Sequence, residues 1–193
     1  MRKLDSGVFR LTTKLSNNAN KDRLCTYAIL KNRTTGTEML FASAHLCTRP
    51  DEAAEALSLS QATILAQKLV ALAEGRMIVV GGDFNADSTT ATYEYMTATA
   101  KFSDARTSAK VKRTQNMCSA RVWGREKNWN NGKRTTIDHI FYLGSSAIAQ
   151  EWKVLTDTYD PFAKISTDVN MIGTNFDLSD HQAVYVKFRE LLD

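Results

Sequence analysis

The stretch "MIVVGGDFNADS" (residues 77–88) combines an apolar run with glycines and polar side chains. Its apolar run 77–80 stops in two glycines, and Asp83 and Asn85 follow two positions apart. Apolar, β-branched residues bounded by glycine predict a buried strand. A buried strand that ends by presenting an acid and an amide can build a polar site. Taken alone, these residues also fit a turn, because Gly, Asp and Asn are common turn residues.

Length and composition predict one globular domain over residues 1–193, with 43% hydrophobic and 24% charged residues. No uninterrupted apolar run reaches the roughly 18 residues needed to cross a bilayer. The N-terminus lacks the apolar core of a secretory signal. We therefore expect no membrane span and, if Met1 is the natural start, a cytoplasmic protein. The three cysteines have no metal-ligand spacing and are expected to be buried thiols: Cys25, Cys47 and Cys118.

Positive charge is concentrated in residues 106–134. This segment holds nine basic side chains and one acid, Glu126, so its formal charge is +8. The net charge of the whole chain is +4, so the remaining residues together are negative. Trp123 and Trp129 lie among these cations. Basic residues interleaved with aromatics suit a phosphate-rich ligand, and a solvated loop is the alternative interpretation.

The remaining pattern predicts several strands and few helices. A helix is expected from Asp51 to about Ala73, and its apolar stripe should be core rather than a cofactor site. A short helix is expected over about 89–99, capped by Ser88 or Asp87. Such a mixture favours a two-layered α+β sandwich. The predicted strands are residues 24–31, 38–46, 76–80, 136–143 and 182–191, with another near Val154.

The three histidines of the chain all lie at predicted strands beside apolar residues. His45 ends one strand, His139 follows Asp138, and His181 follows Asp180. Carboxylates suit magnesium, which prefers hard oxygen donors. A histidine held by an aspartate can hydrogen-bond a phosphate, and a carboxylate can orient or deprotonate a water. With Asp83 and Asn85, these residues suit metal-assisted hydrolysis at phosphorus.

Each of these motifs also has a purely structural interpretation. "GGDFN" and "SDH" can be simple turns at strand ends, and the Asp of "IDHIF" can satisfy backbone donors. Together and in this order the motifs are much more specific. "AHL" (44–46), "VVGGDFN" (79–85), "TIDHIFY" (136–142) and "SDHQAVYVKF" (179–188) resemble the endonuclease/exonuclease/phosphatase superfamily, which is DNase I-like. The resemblance runs from about Gly7 to the C-terminus.

This resemblance implies a four-layered sandwich, in which two mixed β-sheets are flanked by helices and the site lies at one end. It also implies a divalent metal, Mg²⁺ or Mn²⁺, with water as the nucleophile. By resemblance, Asp83 activates the water, Asn85 binds the phosphate and both approach a metal, while His181 is oriented by Asp138. The remaining implied roles are a metal ligand at Asp180 and, at His45, either a phosphate contact or assistance to the leaving group. Arg23 matches a family position that can approach the phosphate. His139 has no implied role and is interpreted as structural.

One departure from the family pattern concerns the N-terminus. Family members begin with a strand that carries an Asn and continue to a strand that ends in a metal-binding Glu, whereas this chain has no Glu before Glu38. We therefore expect a fold that is incomplete at its N-terminus. The chain could be a piece of a longer hydrolase, could complete its sheet with a second chain or as a dimer, or could be a degenerate, non-catalytic member.

The predicted function is a metal-dependent phosphoester hydrolase, either a phosphodiesterase (nuclease) or a phosphatase. Nucleic acid, a phospholipid head group and a sugar phosphate all fit as substrates. Lys133 and Arg134 of the basic segment are expected to bind substrate. The alternative is a binding module for an anionic partner. A glycosidase explains neither the histidines nor the basic segment and is disfavoured.

Overall fold

The computed structural model describes residues 1–12, 21–47, 52–114, 119–120, 136–155 and 181–191. Three α-helices lie in these residues, over Glu52–Ala73 (α1), Ala91–Glu94 (α2) and Ala105–Ser108 (α3), and a π-helical turn over Tyr95–Thr99 follows α2. The strands of the described residues are Arg2–Thr12 (β1), Arg23–Lys31 (β2), Glu38–His45 (β3), Met77–Asp83 (β4), Ser103–Asp104 (β5), Val111–Lys112 (β6), Asp138–Leu143 (β7), Ala147–Val154 (β8) and Val184–Glu190 (β9).

These strands form two mixed sheets. The larger sheet has the order β1-β2-β3-β4-β7-β5, and the smaller has the order β6-β8-β9. Strands β3 and β4 are parallel because α1 returns the chain between them, whereas β1, β2 and β3 form an antiparallel meander. The α+β class and the mixed sheets are therefore as predicted.

Alternation along the central strands creates two apolar faces. On one face, Leu40 of β3 and Val80 of β4 pack in a cluster with Leu65 and Leu69 of α1. On the other face, the cluster of Met39, Met77 and Val79 includes residues of the smaller sheet. The described residues thus stack three layers, a helix, the six-stranded sheet and the three-stranded sheet, where the mixture of elements alone predicted two. The fourth layer and the incomplete N-terminus stay predictions.

Helix α1 lies where its apolar stripe predicted. Leu65 and Leu69 are fully buried, and Gly75 follows the helix with the positive φ of 84° typical of a C-terminal glycine. Over Glu55–Ala73 the helix also has the length and composition of a membrane-crossing segment. Its packing against the sheet favours a core helix, since the same test selects core helices of soluble proteins.

The structure differs from the predictions in β1, in the two-residue strands β5 and β6, and in the helix expected over 89–99. Strand β1 was not predicted, because its sequence mixes charged and apolar residues and its outer residues are largely exposed. The predicted helix over 89–99 is a single α-turn followed by a π-helical turn. Its cap is Thr90, whose hydroxyl accepts from the N–H of Tyr93, and not Ser88 or Asp87. Asp87 instead accepts from Thr89 and closes the preceding turn.

The buried-thiol prediction is confirmed for Cys25 and Cys47, which are free and buried. Cys118 lies outside the described residues. Burial raises the pKa of the Cys25 thiol to about 12. This cysteine therefore behaves as a small apolar core residue rather than as a nucleophile.

Candidate active site

Three of the predicted site residues lie side by side at one end of the larger sheet. His45 is the last residue of β3 and pairs in register with Asp83, the last residue of β4. Asp83 pairs on its other side with Asp138, the first residue of β7. Because β3 and β4 are parallel and β7 runs the opposite way, two strand ends and one strand start meet at the same edge.

The glycines of "VVGGDFN" (residues 79–85) let β4 reach this edge. Gly82 has a φ of +145°, and a Cβ at this position would lie 1.9 Å from the carbonyl oxygen of Ala44 on β3. No residue with a side chain fits there without moving the backbone. Gly81 is different, because its Cβ would meet Ile140 at an ordinary 3.4 Å. The requirement for glycine is therefore specific to Gly82.

Asn85 is fixed by its backbone as well as by its side chain. It adopts a left-handed conformation with a φ of +50°, which Asn tolerates better than most residues. Its backbone N–H donates to Oδ1 of Asp83 at 2.8 Å, and its side-chain Nδ2 donates to the carbonyl of Leu46 at 3.1 Å. This Asx-type turn holds one oxygen of Asp83 and leaves Oδ2 facing the other site residues.

His181 and Asp138 form the shortest contact of the site. Nδ1 of His181 lies 2.7 Å from Oδ2 of Asp138, and Nε2 lies 3.8 Å from Oδ2 of Asp83. The carboxylate of Asp138 can only accept, so Nδ1 carries the proton of this hydrogen bond. The ring is thereby oriented with Nε2 directed at Asp83.

Ser119 supports this arrangement and was not predicted from sequence. Its hydroxyl accepts from the backbone N–H groups of Ile137 and Asp138, and its carbonyl accepts from the N–H of Gln182 at 2.7 Å. It is fully buried and joins the segment before β7 to the segment after His181. The sequence around Ser119 gives no signal of this role, because the role depends on two segments that are distant in sequence.

His45 lies on the other side of Asp83. Its Nε2 is 3.2 Å from Oδ2 of Asp83, and more than half of its side chain is exposed. Partial burial lowers the pKa of His45, and the nearby cation Arg23 adds to this effect, while Asp83 opposes it. Arg23 is only 7% exposed, and its Nε has no hydrogen-bond partner within the described part of the chain. A buried cation with an unused donor beside His45 suits an anionic ligand.

Asp83 is the electrostatic centre of the site. Burial raises the pKa of its carboxyl group, and the neighbouring charge of Asp138 raises it further. The N–H of Asn85 and the two histidines oppose these effects. A carboxylate with a raised pKa accepts a proton from a bound water more readily than an ordinary one.

The described residues contain one group that could hold a metal ion. Asp83, Asp138 and His181 each offer a ligand atom, and these atoms lie within 4.8 Å of one another. Two carboxylates fit Mg²⁺ or Mn²⁺, and an imidazole is a better ligand for manganese than for magnesium. The donor set therefore fits the predicted cofactor, and it adds Asp138 and His181 to the predicted ligands.

Not every predicted site residue can be placed. His45, Asp83, Asn85, Asp138 and His181 come together, with Arg23 beside them. The predicted metal ligand and the predicted substrate-binding residues lie outside the described residues: Asp180, Lys133 and Arg134.

His139 faces away from these residues. It is 3% exposed, its Nε2 lies 2.8 Å from the carbonyl of Ala86, and its Nδ1 lies 3.3 Å from Oδ2 of Asp104. Adjacent residues of a strand point to opposite faces of the sheet, so the side chains of His139 and Asp138 contact different residues. These contacts support the structural interpretation of His139.

No protein-family model matches the sequence, and no curated protein sequence matches it. Solved structures do match. An endonuclease/exonuclease/phosphatase family protein from Bacteroides thetaiotaomicron superposes with a TM-score of 0.75 at 23% identity, over 97% of this chain and 63% of that protein. A mannosyl-6-phosphatase from the same organism gives a TM-score of 0.74 at 23% identity, over 97% of this chain and 67% of that one.

TDP2 of D. rerio, solved with a single-stranded DNA product, is a more distant match. Its TM-score is 0.66 at 15% identity, over 97% of this chain and 68% of that one. The chain thus spans 63% of the length of the first of these proteins. All of these matches extend over nearly the whole of this chain. The fold is therefore that of the endonuclease/exonuclease/phosphatase superfamily, which confirms the resemblance carried by the sequence motifs.

Proposed function

We propose that this chain is a phosphoester hydrolase that depends on a divalent metal and uses water as the nucleophile. One observation carries the proposal: Asp83, Asp138, His181 and His45 converge at one end of the sandwich, with Asp83 in contact with both histidines. Folding alone does not require two carboxylates and two imidazoles at one partly exposed edge. Catalysis at phosphorus uses such groups to bind phosphate and to move a proton.

Asp83 is proposed to position and activate the attacking water. Its Oδ1 is held by the N–H of Asn85 at 2.8 Å, so Oδ2 is the oxygen that faces the substrate. A water bound at Oδ2 would attack phosphorus opposite the leaving group and transfer a proton to the carboxylate. The raised pKa of Asp83 suits this role. Such an attack inverts the phosphorus centre and forms no covalent enzyme intermediate.

His181 is proposed to bind the phosphate and to stabilise the charge of the transition state. Asp138 keeps the proton on Nδ1 and fixes the ring. In the imidazolium form, Nε2–H donates to a phosphoryl oxygen. The side chain of Asn85 is proposed to contact the same phosphate.

His45 and Arg23 are proposed to contact the phosphate from the opposite side. The lowered pKa of His45 favours a neutral ring near pH 7, which still has one N–H to donate. Arg23 supplies a permanent charge from a buried position. Either contact would stabilise an anionic leaving group or the phosphate itself.

Asp180, Asp83 and Asn85 are proposed to hold Mg²⁺ or Mn²⁺, and of these three the described residues contain Asp83 and Asn85. Asp138, whose carboxylate lies close to Asp83, is a further candidate ligand. When bound, the ion would neutralise charge on the phosphoryl oxygens.

The substrate class is proposed from chemistry shared by several phosphoesters. The segment 106–134, with a charge of +8, suits additional phosphates or an anionic leaving group, and Lys133 and Arg134 are proposed to bind it. One structural neighbour is a mannosyl-6-phosphatase and another was solved with a DNA product. A sugar phosphate and a nucleic acid are therefore both proposed classes, beside a phospholipid head group. Binding that weakens steeply with salt would favour the polynucleotide.

Hydrolysis of p-nitrophenyl phosphate and bis-p-nitrophenyl phosphate, with Mg²⁺, with Mn²⁺ and with EDTA, tests the proposal. We expect metal-dependent activity that Asp83→Asn and His181→Ala abolish and that Asp180→Asn reduces. Asp87→Asn is the matched control. Asp87 lies in the same loop, and among the described residues its side chain accepts hydrogen bonds from Thr89 only.

Two outcomes would reject parts of this proposal. Full activity in Asp83→Asn would remove the assignment of the water-activating residue. No activity of the wild-type chain with any metal would favour the alternative of a binding module or of a piece that needs another segment or chain.

A further inference from the structure

A second cavity lies beside the active site, on the opposite face of β7. Its volume is about 380 Å³, and His139, the neighbour of Asp138, forms part of its wall. Ser88 also lines it, and Ser88 belongs to the loop that carries Asp83 and Asn85. The cavity and the active site therefore share one loop and one strand.

The inner wall of the cavity is a buried polar network. His139 and Asp104 have side chains that are 2% and 1% exposed, with 3.3 Å between Nδ1 and Oδ2. The hydroxyl of Tyr93 donates to the same Oδ2 at 3.1 Å, and the N–H of Arg106 donates to Oδ1 at 2.8 Å. The carboxylate of Asp104 is thus bonded at both oxygens. These hydrogen bonds satisfy its acceptor atoms, and its formal negative charge stays in the wall.

Two cations line the outer part of the cavity. The guanidinium of Arg106 lies over the ring of Trp152, with its Cζ 5.7 Å from the ring centroid, and Lys112 extends from the exposed strand β6. Stacking on an aromatic face restricts the guanidinium and keeps its N–H groups at the edge of the plane. The lining thus holds two cations against the single carboxylate of Asp104, so its formal charge is positive.

Hydroxyl groups complete the lining. Ser88 and Thr107 are both exposed residues at the cavity. The hydroxyl of Thr107 donates to the carbonyl of Asp104 at 3.0 Å, so Ser88 is the hydroxyl of this lining that we expect to donate to a phosphate. Hydroxyl groups, an Arg fork and a Lys ammonium are the side chains that bind phosphate oxygens in proteins. We propose that this cavity binds a phosphate group, separate from the phosphate that is hydrolysed.

The phosphate group has two possible sources with the same chemistry. It could be a second phosphate of the substrate, which rests on the proposed function, or free inorganic phosphate. In both cases binding would act on the active site through the shared loop, because the carbonyl of Ala86, next to Asn85, bonds His139 at 2.8 Å.

Titration with inorganic phosphate in the presence of EDTA tests the site without requiring hydrolysis. We expect the backbone amide NMR signals of Ser88, Thr107 and Lys112 to shift with phosphate. Arg106→Gln combined with Lys112→Gln should weaken this binding about tenfold or more, since two charge-assisted contacts are lost. Lys110→Gln is the matched control, because Lys110 is exposed in the same segment but does not line the cavity.

The single variant Lys112→Gln guards against a folding defect, since Arg106 packs on a core tryptophan and Lys112 is an exposed strand residue. It should weaken phosphate binding several-fold while the melting temperature stays unchanged. Shifts confined to residues around His45 and His181, or equal affinity in the wild type and the double variant, would overturn the proposal.

A kinetic comparison then separates the two sources. If the phosphate belongs to the substrate, Lys112→Gln raises KM for a bisphosphorylated ester and leaves KM for the matching monophosphate unchanged. If phosphate binding is lost while both KM values stay constant, the ligand is the free ion. Absence of all hydrolysis would reject the proposed function, and the titration would still decide whether the cavity binds phosphate.

Discussion

Asp138 and His181 are hydrogen-bonded at 2.7 Å although they come from different parts of the sandwich. Asp138 begins β7 of the larger sheet, whereas His181 lies three residues before β9 of the smaller one. Ser119 bonds the backbone on both sides of this pair. The pair therefore joins the two sheets at the active-site end.

Replacing Asp138 with Asn should reduce turnover more than substrate affinity. The amide cannot hold a charged imidazole, so His181 loses both its orientation and part of its positive charge. We expect kcat to fall by about 10²–10⁴ with a smaller change in KM, in the range typical of acid–base groups. Steady-state kinetics on the better of the two nitrophenyl esters measures this. A variant with near-normal kcat would show that Asp138 does not act through His181.

Gly82→Ala should destabilise the protein far more than Gly36→Ala. A Cβ at Gly82 would lie 1.9 Å from the carbonyl oxygen of Ala44, whereas a Cβ at Gly36 would meet nothing within 4 Å. Both glycines have positive φ. Gly36→Ala therefore measures the stability that a side chain at positive φ costs without a clash, about 1 kcal/mol. We expect more than about 3 kcal/mol for Gly82→Ala. Urea unfolding of both variants provides the values, and equal losses would contradict the clash.

Cys25 should be nearly inert to alkylation in the folded protein. Burial raises the pKa of its thiol from 9.0 to about 12, so at pH 9 the folded state contains about 500-fold less thiolate than the unfolded state. Iodoacetamide labelling followed by peptide mass spectrometry measures the rate, with urea-denatured protein as the control. Similar rates in both states would mean that the thiol is not shielded.

The same pKa shift has a consequence for stability. A thiol whose pKa is raised on folding binds its proton more tightly in the native state. Its contribution is fully present below pH 9 and is lost as the pH rises from about 9 towards 12. Alkaline unfolding should therefore begin at a higher pH in Cys25→Ser than the loss of core packing alone would suggest.

Glu190→Gln should loosen the attachment of the β2–β3 hairpin to β9. The carboxylate of Glu190 accepts from Asn32 at 2.7 Å, Thr35 at 2.6 Å and Thr37 at 3.2 Å. These bonds, led by the one from Thr35, lower the pKa of Glu190 below its ordinary 4.5. Because the side chain is partly exposed, we expect a loss of about 1 kcal/mol at pH 7.

The pH dependence of this effect has a definite sign. A carboxylate with a lowered pKa stabilises the fold above pH 4.5, and its contribution is lost as the pH falls below that value. The difference between wild type and Glu190→Gln in urea unfolding should therefore shrink between pH 5 and pH 3. Glu94→Gln, at an exposed helix position, is the control. A difference independent of pH would show that the carboxylate charge is not involved.

Much of the fold and site follows from sequence because the relevant signals are local. The run 77–80 predicted β4, and the apolar stripe of residues 57–72 predicted the buried face of α1. The motifs and their resemblance to the family predicted that His45 and Asp83 belong to one site, and the structure pairs the two residues. The register of β3 and β4 pairs His45 with Asp83, and the register of β4 and β7 pairs Asp83 with Asp138.

Other features depend on contacts between distant segments and left no local signal. The role of Ser119 arises only when residues 137 and 182 come together. Strand β1 is an exposed edge strand, so its sequence lacks a regular alternation. The cavity lined by Arg106 and Lys112 requires α3 and β6 to meet β7, which no pattern within 105–112 indicates.

The edge-to-face contact of Tyr142 with Phe188, at 5.3 Å between ring centroids, lies between the two sheets and away from the catalytic groups. Phe188 is on β9, in the smaller sheet whose leading segment carries His181, and Tyr142 is on β7, which begins at Asp138. This ring contact therefore joins the strand that begins at Asp138 to the strand that follows His181. A substitution that merely changes ring size at Phe188 could alter the reaction rate while every residue that touches the substrate stays the same.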